Sequence, residues 1–433
     1  MAARCGLLLM PALLAGSLVA MAGPARAQDA PPDPTSTTTT TESPTTTTTQ
    51  LPVPPPPPSF APPDQVSVSM SRELDPRVRD AALRAAAQVG ATATVLETFT
   101  VGLTRMARGD QTMLALPLGW RIPMTTTIVD PAAAAVLMGQ DVGDALAAGQ
   151  VVFGSIAAQV RAALAGDFVE LRAVDGTNRT VQVGLVAEHE RVRSSELVMS
   201  VATARALGYA RPTRLVLWGF ASREAMDSAL AGVGMPNRSV RVAHSWDPRS
   251  PDDTLSTART KAALGEFPVA NSRGRLVVDR WWFAANMRRV RFRIGPRTAV
   301  TWCHRLVAPD VQAAFDEIAA ARLTWRLDVA NIRRYGGCYG AREVRAVGST
   351  TGGQLSRHTW GMAFDLNTRQ NCMGCRPRLD CRIVRIFRAH GFAWGGNFLT
   401  PDGMHFEWVG ERRDQIPSLP GELCPNIVPA PSG

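Results

Sequence analysis

The chain has 433 residues, of which 45% are hydrophobic and 19% charged, and its formal net charge is +10. This length suits two or three domains, and the hydrophobic fraction is sufficient for a buried core. Nearly all the positive charge is arginine, because Lys261 is the sole lysine. The arginines are scattered, with neither a basic face interleaved with aromatics nor a known nucleic-acid module, which argues against nucleic-acid binding. Outside a cell, a basic protein would be attracted to anionic wall polymers.

Residues 1–27 have the pattern of a secretory signal peptide. A charged start precedes an apolar run, and Ala25-Arg26-Ala27 is a small-x-small cleavage site, which puts the mature terminus at Gln28. The alternative is an uncleaved membrane anchor, but the apolar run is short for a span of about 20 residues and is interrupted by proline and glycine. We therefore expect a protein exported to the cell envelope of a bacterium, with no stable membrane span after signal removal.

Composition divides the exported part into four segments. Residues 28–64 are rich in proline and threonine, which predicts an extended, disordered linker. Residues 65–250 are predicted to form a separate α+β domain of unknown role. The polar, proline-containing stretch 247–255 is a plausible boundary. Residues 256–425 are predicted to form the second domain, and 426–433 a loose tail.

The first domain shows both helical and strand patterns. Asp75 followed by Pro76 is typical of an N-cap and first helical position, which predicts a helix to about Val89. Asp175-Gly176 is a strong hairpin signal between two β-like runs. The predicted strands are 93–101, 168–173 and 180–186, the segments predicted to be at least partly helical are 130–138 and 195–207, and the residues predicted on one face of the first helix are Val78, Ala82, Leu83 and Ala86.

The second domain also mixes helices and strands. A helix is predicted from Pro309 towards Leu327, with apolar residues at helical spacing and an acidic residue near its N-terminus. Gly395-Gly396 is predicted to turn the chain between two strands. The other predicted elements are strands at 362–366, 392–394 and 404–408 and a helix at 379–390.

Six cysteines remain after the signal segment, all in the last third of the chain: Cys303, Cys338, Cys372, Cys375, Cys381 and Cys424. An even number of cysteines in an exported protein predicts disulfides, although the sequence permits several pairings. We expect Cys303 to pair with Cys338. The alternative is a structural zinc site that includes Cys372-x2-Cys375 and Cys381.

Two histidines and two aspartates have spacing that suggests a metal site. The pattern is His358-x6-Asp365, then, 37 positions on, Asp402-x2-His405. Two histidines and one carboxylate form a reasonable catalytic zinc set that leaves a fourth position for water. Asp402 precedes His405 on a Pro-Asp-Gly turn, which suits a base acting on that water. Glu407 shares a strand face with His405 and is placed to orient it.

Hydrolysis at such a site also requires a cation for an anionic substrate or a developing oxyanion. Arg342 and Arg345, upstream of the histidines, are the candidates. An arginine can hold a carboxylate through two parallel hydrogen bonds.

The segments SRHTWGMAFDLN, WGG and DGMHFEW together resemble the signature of the D-alanyl-D-alanine carboxypeptidase family of zinc peptidases. That family includes VanY-type carboxypeptidases and the L-alanyl-D-glutamate endopeptidases of phage endolysins. The resemblance covers Cys303 to Cys424 closely and extends back to about Ser256. It implies a small α+β domain in which helices flank an antiparallel sheet bearing one zinc ion.

The resemblance also implies roles for individual residues. It makes His358, Asp365 and His405 the zinc ligands and Asp402 the catalytic base. It places Arg342 and Ser356 at the substrate.

The function that follows is a secreted zinc-dependent peptidase acting on peptidoglycan stem peptides. Arg342 favours a D-alanyl-D-alanine carboxypeptidase, which must read a free carboxylate, and the alternative is an L-alanyl-D-glutamate-type endopeptidase. The same fold occurs in hedgehog-type signalling domains, so a non-catalytic, zinc-stabilised wall-binding protein is a further hypothesis. Asp402 argues against that hypothesis, because a structural zinc site needs no base. The sequence predicts no oligomeric state.

Overall fold

A computed structural model describes residues 60–70, 73–209, 214–234, 240–294, 296–328, 337–344 and 353–428. The signal peptide, nearly all of the linker and Arg345 lie outside the described residues. No helix within the described ranges is long and apolar enough to cross a membrane.

The described residues between 60 and 278 are dominated by one large sheet. Its strands are β1 (Gln65–Met70), β2 (Thr92–Arg108), β3 (Gln111–Ala115), β4 (Trp120–Val129), β5 (Val151–Gly154), β6 (Phe168–Arg172), β7 (Asn178–Ala187), β8 (Leu197–Ser200), β9 (Arg214–Trp218), β10 (Val240–His244), β11 (Val269–Ser272) and β12 (Arg275–Val278). The long strand β2 pairs with both β4 and β6, so the path β2-β6-β7-β5-β8-β4 closes on itself as a six-stranded barrel. β1, β9 and β10 extend the sheet beyond β2, and β11 and β12 extend it beyond β4.

Short helices cover this sheet and continue into the C-terminal region. They are α1 (Pro76–Gln88), α2 (Pro131–Met138), α3 (Gln140–Ala147), α4 (Ser155–Arg161), α5 (Val201–Ala206), α6 (Arg223–Val233), α7 (Thr257–Leu264), α8 (Arg280–Asn286), α9 (Ala308–Ala320) and α10 (Cys381–Ala389).

The predicted first helix is present as α1. The Asp75 carboxylate accepts a hydrogen bond of 2.8 Å from the backbone N–H of Arg77, and Gly90 beyond the helix end has a φ of +67°. Three of the four residues predicted on one face of this helix are buried, but Leu83 is 40% exposed. The prediction that placed Leu83 on this face was wrong, because Leu83 lies about 100° around the helix axis from Ala82.

The first domain's strand and hairpin predictions are also confirmed. β6 and β7 form the antiparallel hairpin predicted at Asp175-Gly176, and α2 lies within 130–138. Segment 195–207 is partly helical, as predicted, because it contains α5. Its first part is the strand β8, which is fully buried and pairs in parallel with β4. Pairing in the barrel core outweighs any helical preference of so short a segment.

The C-terminal region contains the small antiparallel sheet expected from the sequence. Its strands are β15 (Ala363–Asp365), β16 (Phe392–Trp394) and β17 (His405–Trp408), in the order β15-β17-β16. A hairpin of β13 (Met287–Ile294) and β14 (Arg297–His304) precedes them. α9 and α10 pack beside these strands, and the Phe387 and Phe406 rings stack with centroids 4.3 Å apart within the shared core.

All six cysteines form disulfides: Cys303–Cys338, Cys372–Cys375 and Cys381–Cys424. The predicted Cys303–Cys338 pair is confirmed. The alternative zinc site is wrong, because all three sulfur atoms that it requires are in disulfides.

The polar stretch 247–255 is fastened to the C-terminal region by a buried charge pair. Asp252 is 6% exposed and accepts hydrogen bonds of 2.9 and 2.6 Å from the fully buried Arg388 guanidinium. The same carboxylate accepts from the backbone N–H of Trp394 at 2.9 Å. The polarity of this stretch therefore reflects buried anchoring as well as exposure.

Candidate metal centre

His358 is positioned by one turn of 3₁₀ helix, Arg357–Trp360. The Ser356 hydroxyl caps this turn by accepting the backbone N–H of His358 at 3.4 Å. Gly361 ends it with a φ of +65°, and a Cβ there would lie 2.9 Å from the backbone nitrogen of His304. Glycine is therefore required for the sharp passage from His358 into β15.

Asp365 and His405 meet through strand pairing. They are direct partners in the β15–β17 ladder, which brings cross-strand side chains on one face close together. Asp365 Oδ1 lies 3.0 Å from His405 Nδ1 and 3.2 Å from His358 Nε2. The turn and the ladder together thus place three residues distant in sequence around one point.

These three side chains fit a metal ion. One ligand atom from each of His358, Asp365 and His405 lies within 4.8 Å of the others, so the group could hold a metal. Two imidazoles and one carboxylate are a donor set that suits zinc, and three protein ligands leave room for a water or substrate.

Glu407 lies behind His405, as the shared strand face predicts. Its Oε1 is 3.1 Å from His405 Nε2, which directs the Nδ1 atom of the ring towards Asp365. Glu407 Oε2 lies 3.4 Å from Arg357 Nε in an ion pair without hydrogen-bond geometry. Arg357 is a supporting residue that the sequence reasoning missed, because only the fold brings it to Glu407.

Asp402 lies beside the three residues on a tightly held turn. Its backbone N–H donates to Gly395 O at 2.8 Å, and its carbonyl accepts from His405 N–H at 3.0 Å. Gly395 permits this approach, since a Cβ there would lie 2.7 Å from Asp402 O. Among the residues that the structure describes, the buried Asp402 Oδ1 has no hydrogen-bond partner.

Arg342 and Ser356 are joined to the site through the backbone. Ser356 N–H donates to Arg342 O at 3.0 Å, and the Thr359 hydroxyl donates to the same carbonyl at 2.9 Å. The neighbouring Glu343 accepts a hydrogen bond of 2.9 Å from Arg121 on β4. The first region therefore helps to hold the Arg342 segment, a contribution that carried no recognisable sequence signal.

Burial disfavours the charged forms of three side chains of the site, but neighbouring charges and hydrogen bonds stabilise those forms. Burial favours a neutral Asp365, but His358 and His405 hold its pKa well below the usual range. Burial disfavours charge on His405, yet hydrogen bonds to Asp365 and Glu407 raise its pKa to about 10. Glu407 likewise has a lowered pKa, despite its burial, because of His405 and Arg357.

Asp402 differs in the direction of its shift. Burial raises its pKa, the neighbouring Asp365 adds to this, and His405, His358 and Arg342 oppose it. Two carboxylates in one site thus have shifts of opposite sign, which suits one to stay charged and the other to exchange a proton.

The tryptophans of the signature serve the core. Trp360 and Trp394 are each 1% exposed, and their indole N–H groups donate to backbone carbonyls of Gly265 and Gly403. Both tryptophans are therefore core residues of the C-terminal region.

Comparison with known protein families matches residues 349–408 to a family described as D-alanyl-D-alanine carboxypeptidase. The matched stretch contains His358, Asp365, Asp402 and His405. No curated protein is similar enough to the chain to count as a match. The family match supports a peptidase related to peptidoglycan, and the fold supplies a group that could hold the metal typical of such enzymes.

Proposed function

We propose that the protein is a secreted, zinc-dependent peptidase that hydrolyses amide bonds of peptidoglycan stem peptides, and that it acts as a D-alanyl-D-alanine carboxypeptidase. The observation that carries the proposal is the convergence of His358, Asp365 and His405 beside a buried carboxylate, within the stretch that matches the carboxypeptidase family. His358 Nε2, Asp365 Oδ1 and His405 Nδ1 would hold the zinc ion.

When bound, zinc would polarise the scissile carbonyl and lower the pKa of a water molecule to about 7. Asp402 takes the proton as the water oxygen attacks the carbonyl carbon. When the C–N bond breaks, Asp402 gives this proton to the departing amine nitrogen. Its raised pKa makes its carboxylate a stronger base than an exposed aspartate, as both transfers require.

Glu407 and Arg357 act on His405. Glu407 accepts the Nε2–H of His405 and so leaves Nδ1 available as a ligand atom. The Arg357 guanidinium keeps Glu407 charged, which maintains that hydrogen bond.

Arg342 is proposed to bind the terminal carboxylate of the substrate. Its positive charge reaches Asp402, on which it lowers the pKa, so its side chain lies within electrostatic range of the reacting groups. Ser356 is proposed to contact the substrate, but it also caps the His358 turn and is 5% exposed.

The test is digestion of purified peptidoglycan, with the products identified by mass spectrometry. Release of a single D-alanine supports the carboxypeptidase, and a new N-terminal D-glutamate supports the endopeptidase instead. A protein that binds zinc and peptidoglycan but releases nothing would be a wall-binding protein.

Asp402→Asn is expected to lower kcat by about 10²- to 10⁴-fold, the usual contribution of a general base. Its zinc content should equal that of the wild type, because Asp402 is outside the ligand set. The matched control is Asp316→Asn, since Asp316 is an exposed carboxylate paired only weakly with Arg293 at 3.5 Å. Full activity in Asp402→Asn would remove it from the mechanism.

A further inference from the structure

A large polar cavity is present apart from the candidate metal centre. It has a volume of about 770 Å³, and none of the three residues that could hold a metal is among the described residues that line it. Three carboxylates line it, from Glu190, Asp253 and Glu411. Six arginines face them: Arg193, Arg214, Arg249, Arg259, Arg357 and Arg413. The lining therefore has an excess of positive charge.

Arg413 is the most deeply buried of these arginines. It is 1% exposed, and within the described ranges its Nε and Nη1 atoms have no hydrogen-bond partner. Its Nη2 atom lies 3.3 Å from Glu411 Oε1. A buried guanidinium with two unsatisfied nitrogens is costly, and the negative charge of an anion in the cavity would offset part of that cost.

Arg193 and Arg214 form a second cationic group in the lining. Arg193 donates to the Gln65 amide oxygen and to Ser67 Oγ at 3.1 Å, so its described hydrogen bonds go to neutral groups. Burial and the charge of Arg214 lower the pKa of Arg193 to about 10. Burial and the charge of Arg241 lower the pKa of Arg214 as well. Arg193 and Arg214 thus carry like charges, and no carboxylate is among the groups that shift their pKa values.

The other arginines of the lining already pair with groups of the protein. Arg249 pairs with Glu411, and Arg259 pairs with Glu190 at 2.8 Å, in exposed ion pairs. Arg357 donates to Leu255 O at 2.6 Å and pairs with Glu407. The least compensated charge is therefore that of Arg193 and Arg214, because Arg413 has Glu411 at 3.3 Å and lies within electrostatic range of Asp253.

We propose that this cavity is a binding site for a phosphate-bearing molecule. Guanidinium groups bind phosphate oxygens through paired N–H donors, and a phosphate monoester carries a charge of about −1.5 to −2, which offsets these arginines better than one carboxylate. Hydroxyls of Ser194, Ser256 and Thr257 also line the cavity and suit phosphate or sugar oxygens. The volume is typical of a small-molecule site, so the ligand is larger than inorganic phosphate.

The phosphate can come from a free phosphorylated molecule or from the phosphodiester chain of an anionic wall polymer. The proposal does not rest on peptidase activity, because the arginines that carry it are separate from the candidate catalytic residues.

The test is isothermal titration of the full exported chain in 150 mM NaCl with pyrophosphate, and with acetate as the carboxylate control. Saturable pyrophosphate binding at least ten times tighter than that of acetate is expected. A glycerol phosphate oligomer separates the two sources: tighter binding than pyrophosphate identifies the polymer, and weaker binding identifies a free ligand. Pyrophosphate binding no tighter than that of acetate would overturn the proposal.

Two matched pairs of variants locate the binding. Arg413→Gln is expected to weaken pyrophosphate binding about 10- to 100-fold, the range for a lost charged hydrogen bond, whereas Arg412→Gln changes it less than about twofold. Arg412 is its exposed neighbour, paired with Asp414 at 2.7 Å.

Ser194→Asp and Ser194→Asn differ only in charge at an exposed lining residue whose φ of +61° both side chains tolerate, so both variants should fold. Ser194→Asp should bind pyrophosphate at least tenfold more weakly than Ser194→Asn. Equal affinities in this pair would place the bound anion elsewhere and overturn the proposal, whatever the folding of Arg413→Gln.

Discussion

In the proposed mechanism, the choice of peptide bond depends on Arg342. A carboxypeptidase must recognise a free terminal carboxylate, and Arg342 is the proposed cation near Asp402 that would bind it. The sequence singled out the four residues that the structure brings together, because they lie within short motifs. It did not predict Arg121, whose bond to Glu343 spans more than 200 residues.

We expect Arg342→Gln to raise KM about 10- to 100-fold for peptides with a free C-terminal carboxylate, the range for a lost charged hydrogen bond. Peptides with a C-terminal amide should show little change. Because Arg342 lowers the pKa of Asp402, the acidic limb of the activity profile should also move to higher pH. Steady-state kinetics on both peptides check this, and equal losses on the two would contradict carboxylate recognition.

His304 makes folding depend on pH. It is fully buried, its Nε2–H donates to Leu264 O at 3.2 Å, and its Nδ1 accepts the Leu306 N–H at 3.3 Å. Burial lowers its pKa to about 4, so the imidazole stays neutral in the folded protein. A proton on Nδ1 would face another N–H donor.

Between pH 6.5 and about 4, the His304 imidazole is therefore protonated in the unfolded chain but neutral in the folded chain. Above pH 6.5 the neutral His304 contributes its full stabilisation. As the pH falls to about 4, protonation of the unfolded chain lowers the free energy of unfolding by up to about 3 kcal/mol, because one pKa unit corresponds to about 1.4 kcal/mol. Urea unfolding across this range should show a shallower pH dependence in His304→Gln. An unchanged pH dependence in His304→Gln would contradict this role.

At the level of elements, the Cys372–Cys375 loop supports the turn that bears Asp402. Gly374 N–H donates to Pro401 O at 2.6 Å, Met373 and Asp402 form an isolated β-bridge, and Met404 N–H donates to Asn371 O at 3.1 Å. A disulfide that closes so short a loop restricts the unfolded chain little, so its main effect is local.

We expect the double variant Cys372→Ser/Cys375→Ser to lower kcat about tenfold with zinc content and Tm nearly unchanged, because a displacement of the base affects the rate steeply. The control is Cys381→Ser/Cys424→Ser, which opens a bridge over 43 residues and should lower stability by roughly 4 kcal/mol. Kinetics and thermal unfolding separate the two effects. An unchanged kcat in the first variant would show that the loop does not position Asp402.

Elements with local signals were predictable, and those stabilised by distant partners were not. The caps of α1 and α2 and the β6–β7 turn are coded within a few residues. β8 is a strand because β4 and β5 flank it, which no local pattern reveals. The β13–β14 hairpin did leave a signal, because arginines alternate with Val290, Phe292 and Ile294, but they were interpreted only as scattered charge.

At the scale of the whole molecule, buried charges connect the barrel to the C-terminal region. Lys261 Nζ donates to Pro123 O at 2.6 Å and to Glu196 Oε1 at 2.8 Å, and it forms an ion pair with Glu266 Oε1 at 2.8 Å. Arg161 contacts both glutamates, and Glu196 also accepts the Thr125 N–H at 2.8 Å. Removing one partner from such a network typically lowers the free energy of unfolding by about 3–5 kcal/mol, because the remaining charges stay buried without it. Contacts over such sequence distances carry no local pattern, so the sequence could not predict this connection.

The burial of Lys261 also makes acetylation of its amino group a measure of how far the protein opens. It is the sole lysine and is 2% exposed, so an amine-acetylating reagent reaches only the terminal amino group of the native chain. We expect intact mass spectrometry to show one acetyl group on the native protein and a second only after denaturation. Two acetyl groups on fully native protein would contradict this burial. The rate at which the second group appears then measures how often the barrel and the C-terminal region separate.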